Sequence, residues 1–152
     1  MDEIYNTIPH REPFLFIDSI QEIRETGATT KRLIRPNEPH FQGHYPENPI
    51  MPGVLLCEAV FQTAAIFLVK KLQKEGTKTN ELTPVLSRIK EVKFKHIIKP
   101  GDTITINAQL IETIGQFHFI KGTIRKENKL VLSLECTLAL INENKPLSNV
   151  IP

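Results

Sequence analysis

Hydrophobic and polar positions divide the chain into unlike segments. From Phe14 to Ile20 the residues Phe-Leu-Phe-Ile-Asp-Ser-Ile are bulky and mostly apolar, as expected of a buried strand. A weaker alternation from Ala28 to Arg35 predicts its hairpin partner, with Gly27 near the turn. The prolines between Pro36 and Pro52 exclude both a helix and a central strand there. From about Gly53 to Gly76 apolar residues occupy nearly every face of a helix, and Lys70, Lys71 and Lys74 ahead of Gly76 form a C-terminal signal. Val85 to Ile98, Thr103 to Ile114, Phe117 to Lys126 and Leu130 to Ile141 read as strands. Pro100-Gly101-Asp102, Gly115-Gln116 and Glu127-Asn128-Lys129 are the turns between them. A helix apolar on so many sides must be wrapped. One long helix held by an antiparallel sheet is an α+β architecture. Ahead of these elements lie a short lead, Met1 to Thr7, and a stiff loop, Ile8-Pro9-His10-Arg11-Glu12-Pro13, whose two prolines restrict their neighbours.

Length and composition narrow the class. A chain of 152 residues fits one domain, 1–152, with one sizeable core. With 40% apolar and 24% charged residues it reads as soluble and globular, and a net charge of +2 is too small to argue for nucleic acid. Cys57 and Cys136 sit inside apolar runs without metal-ligand spacing, and Met1-Asp2-Glu3 opens neither a basic nor an apolar leader. These features predict a reducing, cytoplasmic setting. The run from Val54 to Val69 is the one segment that suggests a membrane span. Glu58, Gln62 and Thr63 near its middle favour a buried helix and argue against insertion.

The chemistry concentrates between Gly43 and Gln62. His44 lies between Gly43 and the series Pro46, Pro49, Pro52, so its backbone is pre-set, and an imidazole offers a neutral base near physiological pH. Alone, such a histidine only fills a turn; in this context a catalytic base is the stronger reading. Gly53 and Val54 open the helix, where unpaired N–H groups meet the positive end of the helix dipole. A thioester carbonyl placed there is polarised, and the enolate-like oxygen formed on losing an α-proton is stabilised. The plainer role of Gly53 is to let Pro52 turn into the helix, and both roles are compatible. Glu58 follows one turn later. A carboxyl on a buried helix is expected to stay protonated and act as a general acid, unless neighbours simply satisfy it. Gln62 falls on the same face, placed either to orient Glu58 or a water, or to make a polar packing contact. A base, an oxyanion donor and an acid suit proton abstraction next to a thioester with loss of a β-hydroxyl as water.

Gly43-His44-Tyr45-Pro46 with Asn48-Pro49-Ile50-Met51-Pro52-Gly53-Val54 resembles the active-site loop of the β-hydroxyacyl-(acyl carrier protein) dehydratases. Glu58-Ala59 with Gln62 is similar to the start of that family's central helix. Ile8 to Asp18 resembles its amino-terminal signature, and Val92 to Asp102, with Lys99-Pro100-Gly101-Asp102, its strand-and-turn segment. The resemblance runs over most of the chain and implies a hotdog fold working as a homodimer, commonly a trimer of dimers. It implies that His44 of one subunit meets Glu58 of its partner beside an acyl tunnel, that the substrate rides on the phosphopantetheine of acyl carrier protein, and that no further cofactor is needed. Glutamate at position 58 resembles the broad-range, non-isomerising branch. Glu47 stands where the family usually has glycine, Tyr45 where phenylalanine is usual, and Cys57 where an aliphatic residue is usual. A glycine at 47 would suit a positive φ, which glutamate adopts at a cost.

Other candidates carry less. The prolines forbid the helix that would make His40 and His44 a metal pair, so no metal is expected. His10, His96 and His118 read as structural. Arg88, Lys90, Lys93, Lys95 and Lys99 form a basic run: either a lysine-protected edge strand or a dock for acidic acyl carrier protein. Three functions remain in view: dehydratase, acyl-thioesterase on the same fold, and a non-catalytic acyl-binding or assembly subunit. The intact set His44, Gly53, Glu58 and Gln62 argues against the last, and the Asn48–Gly53 loop against the second.

Overall fold

The computed structural model describes residues 1–79 and 82–142. A short helix α1 (Asp2–Tyr5) leads to the hairpin β1 (Ser19–Arg24) and β2 (Gly27–Leu33). A 3-10 turn (Pro39–Gln42) interrupts the proline-rich loop, and the long helix α2 (Gly53–Lys74) follows. The remaining strands are β3 (Leu82–Phe94), β4 (Thr103–Ile114), β5 (Phe117–Lys126) and β6 (Lys129–Asn142). They join the hairpin in one six-stranded sheet of order β1-β2-β4-β5-β6-β3. Every neighbouring pair is antiparallel.

The sheet wraps α2, as the apolar pattern requires. Along its 22 residues α2 buries an unbroken stretch from Ala59 to Val69 against strands on several sides. It is long and apolar enough to cross a membrane, yet 72% of its most apolar window is buried inside the protein, as in a core helix. Its approach to the sheet is close. A Cβ at Gly122 on β5 would lie 2.1 Å from Val60 Cγ1, so only glycine admits the helix there. The helix ends in a Schellman motif. Thr77 N–H donates to the Leu72 carbonyl, Gly76 N–H donates to that of Gln73, and Gly76 takes a φ of 78°.

The first strand departs from the sequence expectation. Leu15, Phe16 and Ile17 are buried, but pairing begins only at Ser19 and runs through the largely exposed Gln21, Glu22 and Ile23. Burial without pairing is possible because the Gln62 side chain supplies the missing partners. Its Oε1 accepts from Phe16 N–H at 2.8 Å, and its Nε2 donates to the Phe14 carbonyl at 2.9 Å. An apolar run reports burial, and here burial comes without a ladder. The third strand also begins and ends earlier than expected, with bulges between Leu86 and Arg88 and between Lys90 and Lys93.

Candidate active site

The loop bearing His44 is held from several directions. His44 N–H donates to the His40 carbonyl at 3.1 Å, an α-type bond that closes the end of the 3-10 turn. Asn48 N–H closes back on Tyr45 at 2.9 Å, and Met51 N–H docks on the Ile98 carbonyl at 2.7 Å. Lys99 Nζ donates to Asn48 Oδ1 at 3.2 Å. Beneath the turn lies the buried pair Arg32–Glu38, with Nη2 to Oε2 at 2.5 Å, and Arg32 also donates to the Leu15 carbonyl at 2.7 Å. Arg32 thereby ties the loop to the N-terminal segment, a link absent from the sequence reading. The positive φ expected near Glu47 falls at Tyr45, φ 50°, whose ring meets that of His44 edge-on at 4.7 Å. Burial and the neighbouring Arg32 and His44 push the His40 imidazole below its usual range, against Glu38, which pulls it up.

Helix α2 starts as anticipated. Leu55 and Leu56 N–H both turn back to the Pro52 carbonyl, at 3.0 and 3.2 Å. Among the described residues, the N–H groups of Gly53 and Val54 have no acceptor. They are two donors at the positive end of a 22-residue helix. The ring of Phe94, from the end of β3, packs on the Gly53 backbone.

Glu58 is partly exposed rather than enclosed, with its side chain at 20%. Gln62 Nε2 donates to Glu58 Oε1 at 3.0 Å while the same amide holds Phe14 and Phe16. Of the roles open to Gln62, orienting Glu58 is the one its contacts match. His10 Nε2 lies 3.4 Å from the same Glu58 oxygen. His10 reads as structural in the sequence, because its partner lies far along the chain and no spacing pattern announces such a contact.

The structure thus assembles Glu58, Gln62 and His10 in one cluster and the His44 loop in another. Among the described residues no hydrogen bond or ion pair joins His44 to Glu58 within the chain. Strand β3, an edge strand among the described residues, the segment after it and the start of α2 leave Val54, Leu86, Ile89, Phe94 and Ile97 exposed. The basic run does not form one patch. Arg88 and Lys90 border a depression of about 240 Å3 with Glu112 and Glu135. Lys93 lies 3.7 Å from Glu91, and Lys99 braces Asn48. Lys95 and His96 stand exposed at the end nearer the His44 loop. The thiols of Cys57 and Cys136 are buried, and burial pushes Cys136 up to about 12, so neither offers a ready nucleophile. Among the described residues no three His, Cys, Asp or Glu side chains converge as a metal site.

Residues 8–135 match the FabA-like domain model. The 3-hydroxyacyl-[acyl-carrier-protein] dehydratase FabZ of Clostridium perfringens is 38% identical over 140 residues, covering 92% of this chain and 97% of that protein. FabZ of Caldicellulosiruptor bescii is 38% identical over 142 residues, with 92% and 97% covered. Among solved structures, the dehydratase heterocomplex ApeI:P from Xenorhabdus doucetiae superposes with a TM-score of 0.78 at 12% identity, covering 92% of this chain and 91% of that one. A hypothetical thioesterase with coenzyme A from Streptococcus pneumoniae gives 0.64 at 11% identity, with 95% of each chain covered. These neighbours identify the helix-in-sheet architecture as the hotdog fold.

Proposed function

The chain belongs to the FabA-like domain family, and from that premise we propose that it dehydrates a (3R)-3-hydroxyacyl-[acyl carrier protein] to the trans-2-enoyl thioester in fatty acid or related lipid biosynthesis. The observation that carries the reading is the start of α2. Two free N–H donors at Gly53 and Val54 are followed, one turn on, by a carboxyl already oriented by Gln62. His44 takes the proton from C2, and the charge moves onto the thioester oxygen held by the two N–H groups. The C2=C3 double bond forms as the C3–O bond breaks, and the hydroxyl leaves as water with a proton from Glu58. His44 has gained one proton and Glu58 has lost one, so a return transfer resets the site.

The base and acid come from different subunits in this proposal: His44 of one subunit faces Glu58 of the partner subunit. Support comes from β3, a 13-residue strand whose outer edge pairs with no other strand among the described residues and whose neighbouring exposed apolar residues suit a second copy. Three such dimers make the hexamer, and residues 1–152 act as one hotdog domain. The substrate arrives on the phosphopantetheine of acyl carrier protein, no other cofactor is required, and the setting is cytoplasmic. Of the basic run, Lys93, Lys95 and Lys99, at and beyond the end of β3, dock the acidic carrier.

Incubation with 3-hydroxyacyl-carrier substrates of several chain lengths, followed by mass analysis, tests the reaction. Loss of one water with the thioester intact is the expected result. Release of free 3-hydroxy acid would make the protein a thioesterase instead.

A further inference from the structure

We infer that His10 is a positioning residue for Glu58, and that Glu58 Oε2 is the oxygen through which the proton reaches the leaving hydroxyl. The inference rests on the dehydratase reading. The fold treats the two carboxyl oxygens of Glu58 differently. Oε1 accepts from Gln62 Nε2 at 3.0 Å and lies 3.4 Å from His10 Nε2. Among the described residues no hydrogen bond or ion pair engages Oε2. A carboxylic acid keeps one oxygen as acceptor and carries its proton on the other. With Oε1 held by Gln62 and beside His10, Oε2 is the oxygen free to face substrate and to pass the proton on. The same two contacts suit the carboxylate left after transfer, so the side chain has no reason to turn between the two states.

The tautomer of His10 follows from its other nitrogen. Nδ1 is shut away from solvent and has no hydrogen-bond partner. It is unpaired in either neutral tautomer, so Nε2 decides between them. Nε2 lies 3.4 Å from the Glu58 oxygen, so a proton on Nε2 is attracted to it, whereas a bare Nε2 sets lone pair against lone pair. The Nε2–H form is therefore selected. Buried polar atoms without partners are uncommon in folded proteins, and here the unpaired nitrogen is the consequence of turning the ring's other edge toward Glu58. The backbone around His10 is fixed on both sides. Arg11 donates to the carbonyls of Tyr5, Ile8 and His10, and Gln62 holds Phe14 and Phe16. A ring so held fixes where Oε1 sits, and with it the direction of Oε2.

The test compares wild type, His10→Ala and His10→Gln on a 3-hydroxyacyl pantetheine thioester, with kcat, KM and the thermal midpoint measured for each. Misplacing a reacting group by about 1 Å costs on the order of a hundredfold. His10→Ala is therefore expected to lower kcat by about ten- to a hundredfold with KM little changed. Glutamine places an amide N–H near the position of Nε2, so His10→Gln should recover most of the lost kcat. Full kcat in His10→Ala overturns the inference. So does a loss that spreads over kcat, KM and thermal midpoint together without recovery in His10→Gln, which would mark His10 as a support for the loop. A wild-type protein that performs no dehydration overturns the dehydratase reading and this inference with it.

Discussion

The ring of Phe94 closes directly on Gly53: a Cβ built on Gly53 would meet Phe94 Cε1 at 2.8 Å. The glycine that opens the helix is thus needed for this close approach. Gly53→Ala forces the ring away from the two free N–H donors, and overpacking of this kind typically costs about 1–3 kcal/mol. Because Phe94 is 55% exposed its ring has room to move, which places the expected loss at the low end. Urea unfolding should show the loss in Gly53→Ala and little further loss when Phe94→Ala is added. Strict additivity would separate the two residues.

His44→Ala and Glu58→Ala are each expected to lower dehydration by about 10²–10⁴-fold with the fold retained. If each site draws its base from one subunit and its acid from the other, mixed dimers of the two inactive variants contain one intact site. Co-refolding them should restore part of the wild-type rate. Recovery absent from well-mixed dimers would return both groups to one chain.

Docking of the carrier through the basic strand predicts a difference between substrates. Charge reversal at Lys93 and Lys95 should lower kcat/KM for carrier-bound substrate and leave a short pantetheine analogue nearly untouched. Complementary charge mainly accelerates encounter and is screened over about 8 Å at physiological ionic strength. The wild-type rate on the carrier should accordingly fall with added salt more than the rate on the analogue. Equal losses on both substrates would assign these lysines to the fold.

Burial lowers the pKa of His118, with Lys71 adding to the effect, and burial likewise lowers that of His40. A depressed histidine binds its proton less readily folded than unfolded. Its contribution to stability is therefore complete above the unfolded value of about 6.5 and is lost as pH falls from there through the folded value. The thermal midpoint should drop on acidification across that window, and His118→Gln should flatten part of the slope. His118 Nδ1 lies 3.1 Å from Thr113 Oγ1, a contact that glutamine can keep. An unchanged slope would exclude His118 as a source of it.

Local signals made much of the fold legible. Strands β4 and β5 have the bounds their alternation predicts, because turn residues punctuate both ends. The helix was visible in its apolar breadth and basic C-terminus. The first strand was not, since Leu15–Ile17 is buried with a glutamine side chain bonding the adjacent backbone in place of a ladder, and the paired residues Ser19–Arg24 are mostly polar. At the site, the order of Gly53, Glu58 and Gln62 along one helix could be read from spacing alone. The contact of His10 with Glu58 and the Arg32–Glu38 pair beneath the loop could not. Both depend on how distant segments cross, and sequence periodicity carries no information on that.

The interlock of Val60 with the bare backbone at Gly122 limits how the protein can change. A methyl group lodged where a side chain would stand keys the helix to the sheet like a pin in a slot. Rotation or sliding of α2 would first have to pull that methyl free. Any shift of α2 along the sheet therefore has to begin at Val60 or Gly122, whereas side chains on the exposed margin, such as Val54 and Leu86, can change in volume without disturbing the pin.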